Sequence, residues 1–277
     1  MTFKHVLVHV EPGPASEARL KYAVGLAQTF GASLTGMTVT LPAAEIPAAM
    51  MGDALLFNAA VNAAGEAADL ARQQFERLMR ECGLVNDWRN GEGNPVQVVA
   101  AEAGRADILV IGGQLQHDPD GGLYRLAPAD VLMTSGRPAI VLPENLVTEF
   151  RAKRILLAWK NTPEAARAAH DAIPLLAQAE EVMLAEVVSP DALNGRYAIS
   201  IEDMADHLRA HGARITTTRL QGQASDAGAA LLDFASKSRV ELIVAGAYGH
   251  SRIREWALGG VTASLLRRAQ VPCLLSR

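Results

Sequence analysis

Residues 242–262 read LIVAGAYGHSRIREWALGGVT, and this stretch decides the fold of the chain. Its first four residues form an apolar run typical of a buried strand, which leads directly into Gly246 and Gly249. After nine intervening residues, the pair Gly259 and Gly260 precedes an apolar-periodic stretch that predicts a helix. Glycine backbone can approach a bulky anion closely, and a helix start offers unpaired N–H donors. The stretch therefore predicts a strand, a phosphate-binding loop and a helix.

The spacing of these glycines differs from that of the Walker A and dinucleotide-binding fingerprints. It resembles the signature of the universal stress protein family, G-x2-G-x9-G followed by Ser or Thr, with Gly246, Gly249 and Gly259 at the three glycine positions. In that family the loop holds the phosphates of ATP. Gly260 stands where Ser or Thr is usual, and Thr262 lies two residues further on as a partial substitute. The alternative is that these glycines only form turns.

The resemblance also implies a set of ligand-contacting residues. Lys160 stands where the family usually carries an Asp that contacts the nucleoside. A lysine cannot accept the hydrogen bonds of a carboxylate, but it suits a phosphate. Arg252 and Arg254 lie within the loop and also suit phosphate oxygens, with surface solubility as the alternative. The predicted cofactor-binding residues are Gly246, Gly249, His250, Gly259, Gly260, Val261, Thr262 and Lys160.

The chain contains an internal duplication. Lys4–Val8 and Lys153–Leu157 both open with a base and run apolar, at an offset of 149 residues. Asp107–Gly112 and Glu241–Gly246 are also alike, at an offset of 134. Two stretches that match at the start and at the end of each half indicate two copies of one domain.

The predicted domains cover 1–145 and 152–277, joined by a polar linker near 143–152. The change of offset means that the first copy is 15 residues longer. We place this insertion in the Pro/Ala/Met-rich segment 41–62, between the second strand and the second helix. The apolar part of that segment is broken by charges and prolines, so it is not a membrane span. It is interpreted as a lid or a dimer-facing helix, with core packing as the alternative.

Each copy alternates short β-branched runs with Ala- and Leu-rich helical stretches, which predicts parallel sheets covered on both faces. The fold class is α/β, with two tandem doubly wound five-stranded parallel sheets. The resemblance adds an adenine-nucleotide alpha-hydrolase-like topology, strand order 3-2-1-4-5, and pairing of the last strands, Ile140–Leu142 with Leu274–Ser276, into a pseudo-dimer. Strands of the second copy are predicted at Ile155–Trp159, Val182–Val188, Arg214–Leu220, Leu242–Gly246 and Cys273–Ser276.

The first copy has lost the glycine pattern. At the offset of 134, Leu115 and Arg125 occupy its second and third glycine positions, and only Gly112 remains. The acid that the family usually carries after the first strand is present in the first copy as Glu11. The acidic segment 116–122 would repel a triphosphate, and it lacks the oxygen ligands of a calcium loop. We expect no metal site there and at most one nucleotide site per chain, in the second copy.

Composition excludes several function classes. The net charge of −4 and the pI of about 6.0 offer no basic field for nucleic acid. Cys82 and Cys273 show no metal or disulfide spacing. The chain enters a strand directly after its first residues, so we expect no signal peptide and a cytoplasmic, non-membrane protein.

The leading interpretation is a tandem universal stress protein, a stress-response module that binds ATP, with or without Mg²⁺, in its second domain. It would act through an unknown protein partner, and further homodimerisation is open. One alternative is a nucleotide-free scaffold of the same fold. Another is a slow ATP hydrolase, which the missing carboxylate near the loop disfavours because nothing obvious would hold Mg²⁺. No catalytic residue is predicted, because no nucleophile elbow or Cys/His motif is visible.

Overall fold

The computed structural model of the protein describes residues 2–40, 42, 54–113, 126–146, 149–188, 199–223, 225–248 and 260–277. The chain forms two compact units. The amino-terminal unit comprises Phe3–Arg137 and Glu144–Phe150. The carboxy-terminal unit comprises Arg151–Arg277 together with Pro138–Pro143.

The amino-terminal unit is an α/β structure in which helices follow strands along the chain. Its strands are all parallel, in the order β3-β2-β1-β4. The strands are β1 (His5–His9), β2 (Ser33–Thr40), β3 (Asn86–Glu92) and β4 (Ile108–Gly112). The helices are α1 (Pro14–Phe30), α2 (Ala54–Cys82), α3 (Pro95–Ala103) and α4 (Pro128–Thr134).

The carboxy-terminal unit contains the second sequence repeat and one further strand. Its strands are β5 (Ala139–Leu142), β6 (Arg154–Trp159), β7 (Glu181–Val188), β8 (Ile215–Gln221), β9 (Leu242–Gly246) and β10 (Cys273–Ser276). Its helices are α5 (Pro163–Asp171), α6 (Ile173–Leu176), α7 (Ile201–Ala210), α8 (Ala227–Lys237) and α9 (Val261–Arg268).

The strand order of the second repeat confirms the prediction. Parallel strands follow one another as β8-β7-β6-β9-β10, which is the order 3-2-1-4-5. The expected pairing of the last strands is present inside this unit, where β5 runs antiparallel to β10 with Ile140 opposite Leu274. Strand β5 closes the first sequence repeat but belongs to the carboxy-terminal unit, so the compact units and the repeats differ in their bounds.

Buried runs and prolines explain where these elements form. All the residues of β4 before Gly112 are buried, as are those of β9 before Gly246, which is typical of parallel strands covered on both faces. Pro14 and Pro163, which lie at the same offset, occupy the first turns of α1 and α5. Proline is favoured there because the missing N–H has no partner within a helix start.

The extra length of the first repeat lies within a helix. Helix α2 has 29 residues, whereas its counterpart α7 has 10. The preceding connections, 41–53 and 189–200, are almost equally long. The predicted insertion segment, 41–62, overlaps helix α2 at 54–62, so part of the predicted insertion is helical. Residues 43–53 of the predicted lid lie outside the described residues.

Among the described side chains of α2, the buried ones lie in its carboxyl half. Ala71, Phe75 and Met79 follow each other at intervals of four residues and are buried. A Cβ at Gly36 of β2 would lie 2.6 Å from the Phe75 ring, so this glycine permits the close approach of helix and strand. Near the amino end of α2, Leu55 is 82% exposed, which rules out core packing for that residue.

The predicted linker is partly packed. The Phe150 ring meets Tyr22 of α1 edge-on, with ring centroids 5.2 Å apart. A Cβ at Gly25 would lie 2.8 Å from the Cβ of Phe150, so α1 is shaped to receive this residue. Phe150 consequently packs against helix α1 of the amino-terminal unit.

Candidate functional site

The carboxyl ends of β6 and β9 mark the position where a doubly wound sheet binds ligands. Strand β6 has β7 on one side and β9 on the other, so the connections diverge from this point. Ala158 is level with Ala245, which places the strand ends Trp159 and Gly246 side by side. Lys160 follows β6 directly and is exposed. The structure thus brings Lys160 to the same sheet edge as the start of the glycine loop.

The helix after the loop begins without a side-chain cap. Gly260 is the N-cap of α9, with extended backbone (φ −148°, ψ 166°) and no side-chain hydrogen bond to the first turn. The first N–H groups of an α-helix have no partner within the helix, and among the described residues no N-cap side chain satisfies those of the turn that Val261 opens. The predicted residues Gly249, His250 and Gly259 lie outside the described residues, as do Arg252 and Arg254.

Thr262 connects the two sides of the loop. Its side chain is buried, and its Oγ1 accepts a hydrogen bond from the Tyr248 N–H at 3.4 Å. The same hydroxyl donates to the Gly246 carbonyl at 3.5 Å. Tyr248 has a left-handed backbone (φ 48°), which is uncommon for a residue with a side chain. The Thr262 hydroxyl therefore holds the end of β9 against the start of α9.

Gly246 has a clear packing role. A Cβ at this position would lie 2.6 Å from the backbone nitrogen of Ala165 and from the carbonyl carbon of Glu164. The first turn of α5 therefore covers the end of β9, and only glycine leaves room for it. Helix α5 is held at both ends, because Thr162 caps its start and Ser276 donates to the Asp171 carboxylate at 2.5 Å.

In the amino-terminal unit the equivalent strand ends are joined by an arginine. Arg19 of α1 is 6% exposed, and its Nη1 donates to the carbonyl of His9, the last residue of β1, at 2.8 Å. The guanidinium also lies 3.4 Å from a Glu11 carboxylate oxygen. At the end of β4, a Cβ on Gly112 would lie 2.8 Å from the Arg19 Cζ. The guanidinium thus bridges the carboxyl ends of β1 and β4.

Burial controls the charges of this cluster. Desolvation lowers the pKa of His9 to about 4, although the nearby Glu11 carboxylate opposes the shift, so the imidazole is neutral at pH 7. Burial also lowers the pKa of Arg19, again against the effect of Glu11. Within the described part of the chain, the buried His9 Nδ1 and Arg19 Nε have no hydrogen-bond partners. Glu11, the surviving acid of the first repeat, is thus engaged by an internal cation.

Sequence reasoning missed Arg19. The available signal was a charged residue among the apolar positions of α1, where Arg19 directly precedes the buried Leu20. Its counterpart at the offset of 149 is Ala168, which is fully buried in α5. Glu11 corresponds to Lys160 at the same offset. The two repeats therefore differ in the charges at their strand ends.

A separate groove of about 630 Å³ opens at the opposite edge of the carboxy-terminal sheet. It lies at the amino ends of β6, β7 and β8, away from the candidate site. Arg154 pairs with Glu181 at 3.2 Å. Arg209 pairs with Asp206 at 2.7 Å and donates to the Ile215 carbonyl at 3.1 Å. Two of the arginines that line the groove, Arg154 and Arg209, are therefore paired within the protein.

Metal and thiol chemistry find little support in the described part of the chain. Within it, no group of three or more His, Cys, Asp or Glu residues is arranged to hold a metal ion. Cys82 and Cys273 are free thiols, and burial raises the pKa of Cys273 to about 12, which suppresses its thiolate. None of the helices in the described ranges has the length and apolar character to cross a bilayer.

Comparisons with known proteins agree with this architecture. A universal stress protein from Archaeoglobus fulgidus superposes with a TM-score of 0.75 at 18% identity, over 99% of this chain and 96% of that chain. A functionally unknown protein from Pseudomonas aeruginosa gives a TM-score of 0.61 at 14% identity, over 99% and 92%. At these identities the likeness shows the fold alone.

Sequence comparison identifies the family. Universal stress protein Slr1230 from Synechocystis is 33% identical over 70 residues, which is 25% of this chain and 23% of the length of that protein. The model of the Universal stress protein family matches residues 2–123 and 151–277, and therefore covers most of both repeats. The chain belongs to the universal stress protein family, in a tandem two-domain form.

Proposed function

We propose that this protein is a stress-response module whose carboxy-terminal repeat binds an adenine nucleotide. The observation that carries the proposal is the meeting of three features at one sheet edge: the switch point between β6 and β9, the uncapped start of α9 and the exposed Lys160. Unpaired N–H groups and the partial positive charge of a helix start favour a phosphate. Gly249, His250 and Gly259 complete the predicted phosphate loop.

The direct test is titration of the purified protein with ATP, with and without Mg²⁺, together with mass spectrometry of any nucleotide that copurifies. We expect one nucleotide per chain at most. Binding no stronger than a millimolar background would favour the scaffold alternative. One observation supports that alternative, because packing against α5 by itself accounts for the glycine at 246.

Gly259→Val tests the loop. If its backbone donors hold phosphate, the new side chain blocks their approach. Loss of two charge-assisted hydrogen bonds of about 1.5–3 kcal/mol each weakens ATP binding by roughly two to four orders of magnitude. Gly65→Val, at an open position in α2, is the matched control and should leave affinity unchanged. Equal affinity of both variants and the parent would contradict a phosphate role for the loop.

Lys160→Asp distinguishes two roles for the exposed lysine. If Lys160 only replaces the nucleoside-contacting acid of the family, the new carboxylate strengthens ATP binding, and this is the outcome we expect. If Lys160 neutralises phosphate, the same change weakens binding because a like charge is introduced. Comparing adenosine with ATP separates the two, since only the second role depends on the phosphates.

A further inference from the structure

We propose that Arg19 determines which repeat of this protein accepts a ligand. Its guanidinium occupies the ligand position of the amino-terminal repeat and so excludes nucleotide from it. The claim that nucleotide is excluded from this position rests on the proposed function of the carboxy-terminal repeat. The claim that the guanidinium occupies the position rests on the contacts of Arg19 alone and is tested separately.

The position of the guanidinium carries the argument. In the amino-terminal unit, β1 lies between β2 and β4, so the carboxyl ends of β1 and β4 flank the switch point of that sheet. Arg19 is bonded to the last residue of β1 and packs on the last residue of β4. Because a Cβ on Gly112 would run into the guanidinium, the strand end and the side chain fit each other closely.

The chemistry of the position shows what it would take in place of Arg19. The groups that receive the guanidinium are acceptors, namely the His9 carbonyl and the Glu11 carboxylate. A carboxylate repels phosphate but accepts hydrogen bonds from hydroxyl and amino groups. Without Arg19, the position suits an organic cation or the donor groups of a nucleoside.

The second repeat shows the same position without the arginine. Pro14 and Pro163 begin α1 and α5 at the same offset that relates Arg19 to Ala168. Alanine cannot reach the strand ends. The fold thus tolerates alanine at this point of the helix, and Arg19→Ala is a reasonable variant to prepare. Glu11 is 38% exposed and can be hydrated when the guanidinium is removed.

Methylguanidinium chloride tests the occupancy without any nucleotide. In Arg19→Ala it should refill the position and raise the melting temperature in a saturable manner, by roughly 2–4 °C at ten times its dissociation constant. The melting temperature of the wild-type protein should not rise relative to the same concentration of sodium chloride. The same holds for Arg72→Ala, which removes an exposed arginine of α2. A folded Arg19→Ala without a saturable shift would overturn the occupancy. If that variant does not fold, Arg19→Ser, whose short polar side chain cannot reach the strand ends, replaces it.

Adenosine tests the exclusion. Calorimetry should give at most one adenosine per chain for the wild type and two per chain for Arg19→Ala. Methylguanidinium should displace the second adenosine. Two equivalents in the wild type would overturn the proposal, as would an unchanged single equivalent in a folded Arg19→Ala. If the wild type binds no nucleotide or nucleoside, the proposed function fails instead. The methylguanidinium shift then decides whether Arg19 fills the position.

Discussion

In the amino-terminal repeat a side chain joins the carboxyl ends of β1 and β4, whereas in the carboxy-terminal repeat the first turn of a helix covers the end of β9. Gly112 and Gly246 occupy matching positions, yet a Cβ on the first meets the Arg19 guanidinium and a Cβ on the second meets the backbone of α5. A flexible side chain can move, but the backbone of a capped helix cannot do so without disturbing its packing. The two equivalent glycines should therefore differ in how well they tolerate a larger residue.

The largest effect should separate these two glycines. Gly246→Ala forces the start of α5 away from β9 and should lower the free energy of unfolding by about 3 kcal/mol. Gly112→Ala should cost less than about 1 kcal/mol because the end of Arg19 can swing aside. Urea denaturation of both variants measures the difference. Equal losses of unfolding free energy in the two variants would contradict the expected difference between the two glycines. A loss in Gly112→Ala that disappears in the Arg19→Ala background would show that it arises from the guanidinium.

A smaller effect concerns the pH dependence of the amino-terminal repeat. The folded pKa of His9 is about 4, below the usual 6.5, so the unfolded state binds the proton more readily. The corresponding stability is present above pH 6.5 and is lost as pH falls through 4, at up to about 1.4 kcal/mol per pH unit within that window.

His9→Gln should therefore flatten the dependence of unfolding free energy on pH between 4 and 6.5. The matched control is His211→Gln, at an exposed position after α7, which should leave the slope unchanged. The second repeat has Ala158 at the position of His9, so this contribution belongs to the first repeat alone. An unchanged slope in His9→Gln would show that the imidazole is not held neutral by burial.

The smallest effect is expected at the start of α9. Gly260 has extended backbone that any residue adopts, so Gly260→Ser supplies a capping hydroxyl without strain. Serine in place of glycine at an N-cap should stabilise the carboxy-terminal unit by a few tenths of a kcal/mol. Thermal unfolding measures this change. In the ligand titration the same hydroxyl, which the family usually carries here, should strengthen nucleotide binding, and weaker binding would contradict the proposed site.

Much of the fold could be predicted from local pattern. The strands Leu242–Gly246 and Cys273–Ser276 have the bounds that their apolar runs predicted, because each run alone fills a buried strand. The start and length of α2 could not be predicted in this way. Its first half is rich in alanine and follows a Pro- and Ala-rich connection, so the sequence offers no sharp helix start there.

The candidate site was predictable only in part. Glycine spacing and the adjacent strand and helix predicted a phosphate loop, and the duplication showed that only one repeat keeps the glycine pattern. The packing of α5 on Gly246 was not predictable, because it depends on how closely a helix lies on a neighbouring strand. Thr262 was predicted as a ligand-binding residue, but its hydrogen bonds that hold β9 to α9 were not predictable.

By itself, the sequence determined that the chain is a tandem pair of α/β repeats, the order of its elements, and the repeat that keeps the glycine pattern. These properties follow from periodicity and spacing, which are local to the chain. Only the tertiary structure decided what fills each pair of strand ends. Arg19 reaches Gly112 across the sheet edge, a contact between residues far apart in the chain, and its burial depends on all the groups that surround it.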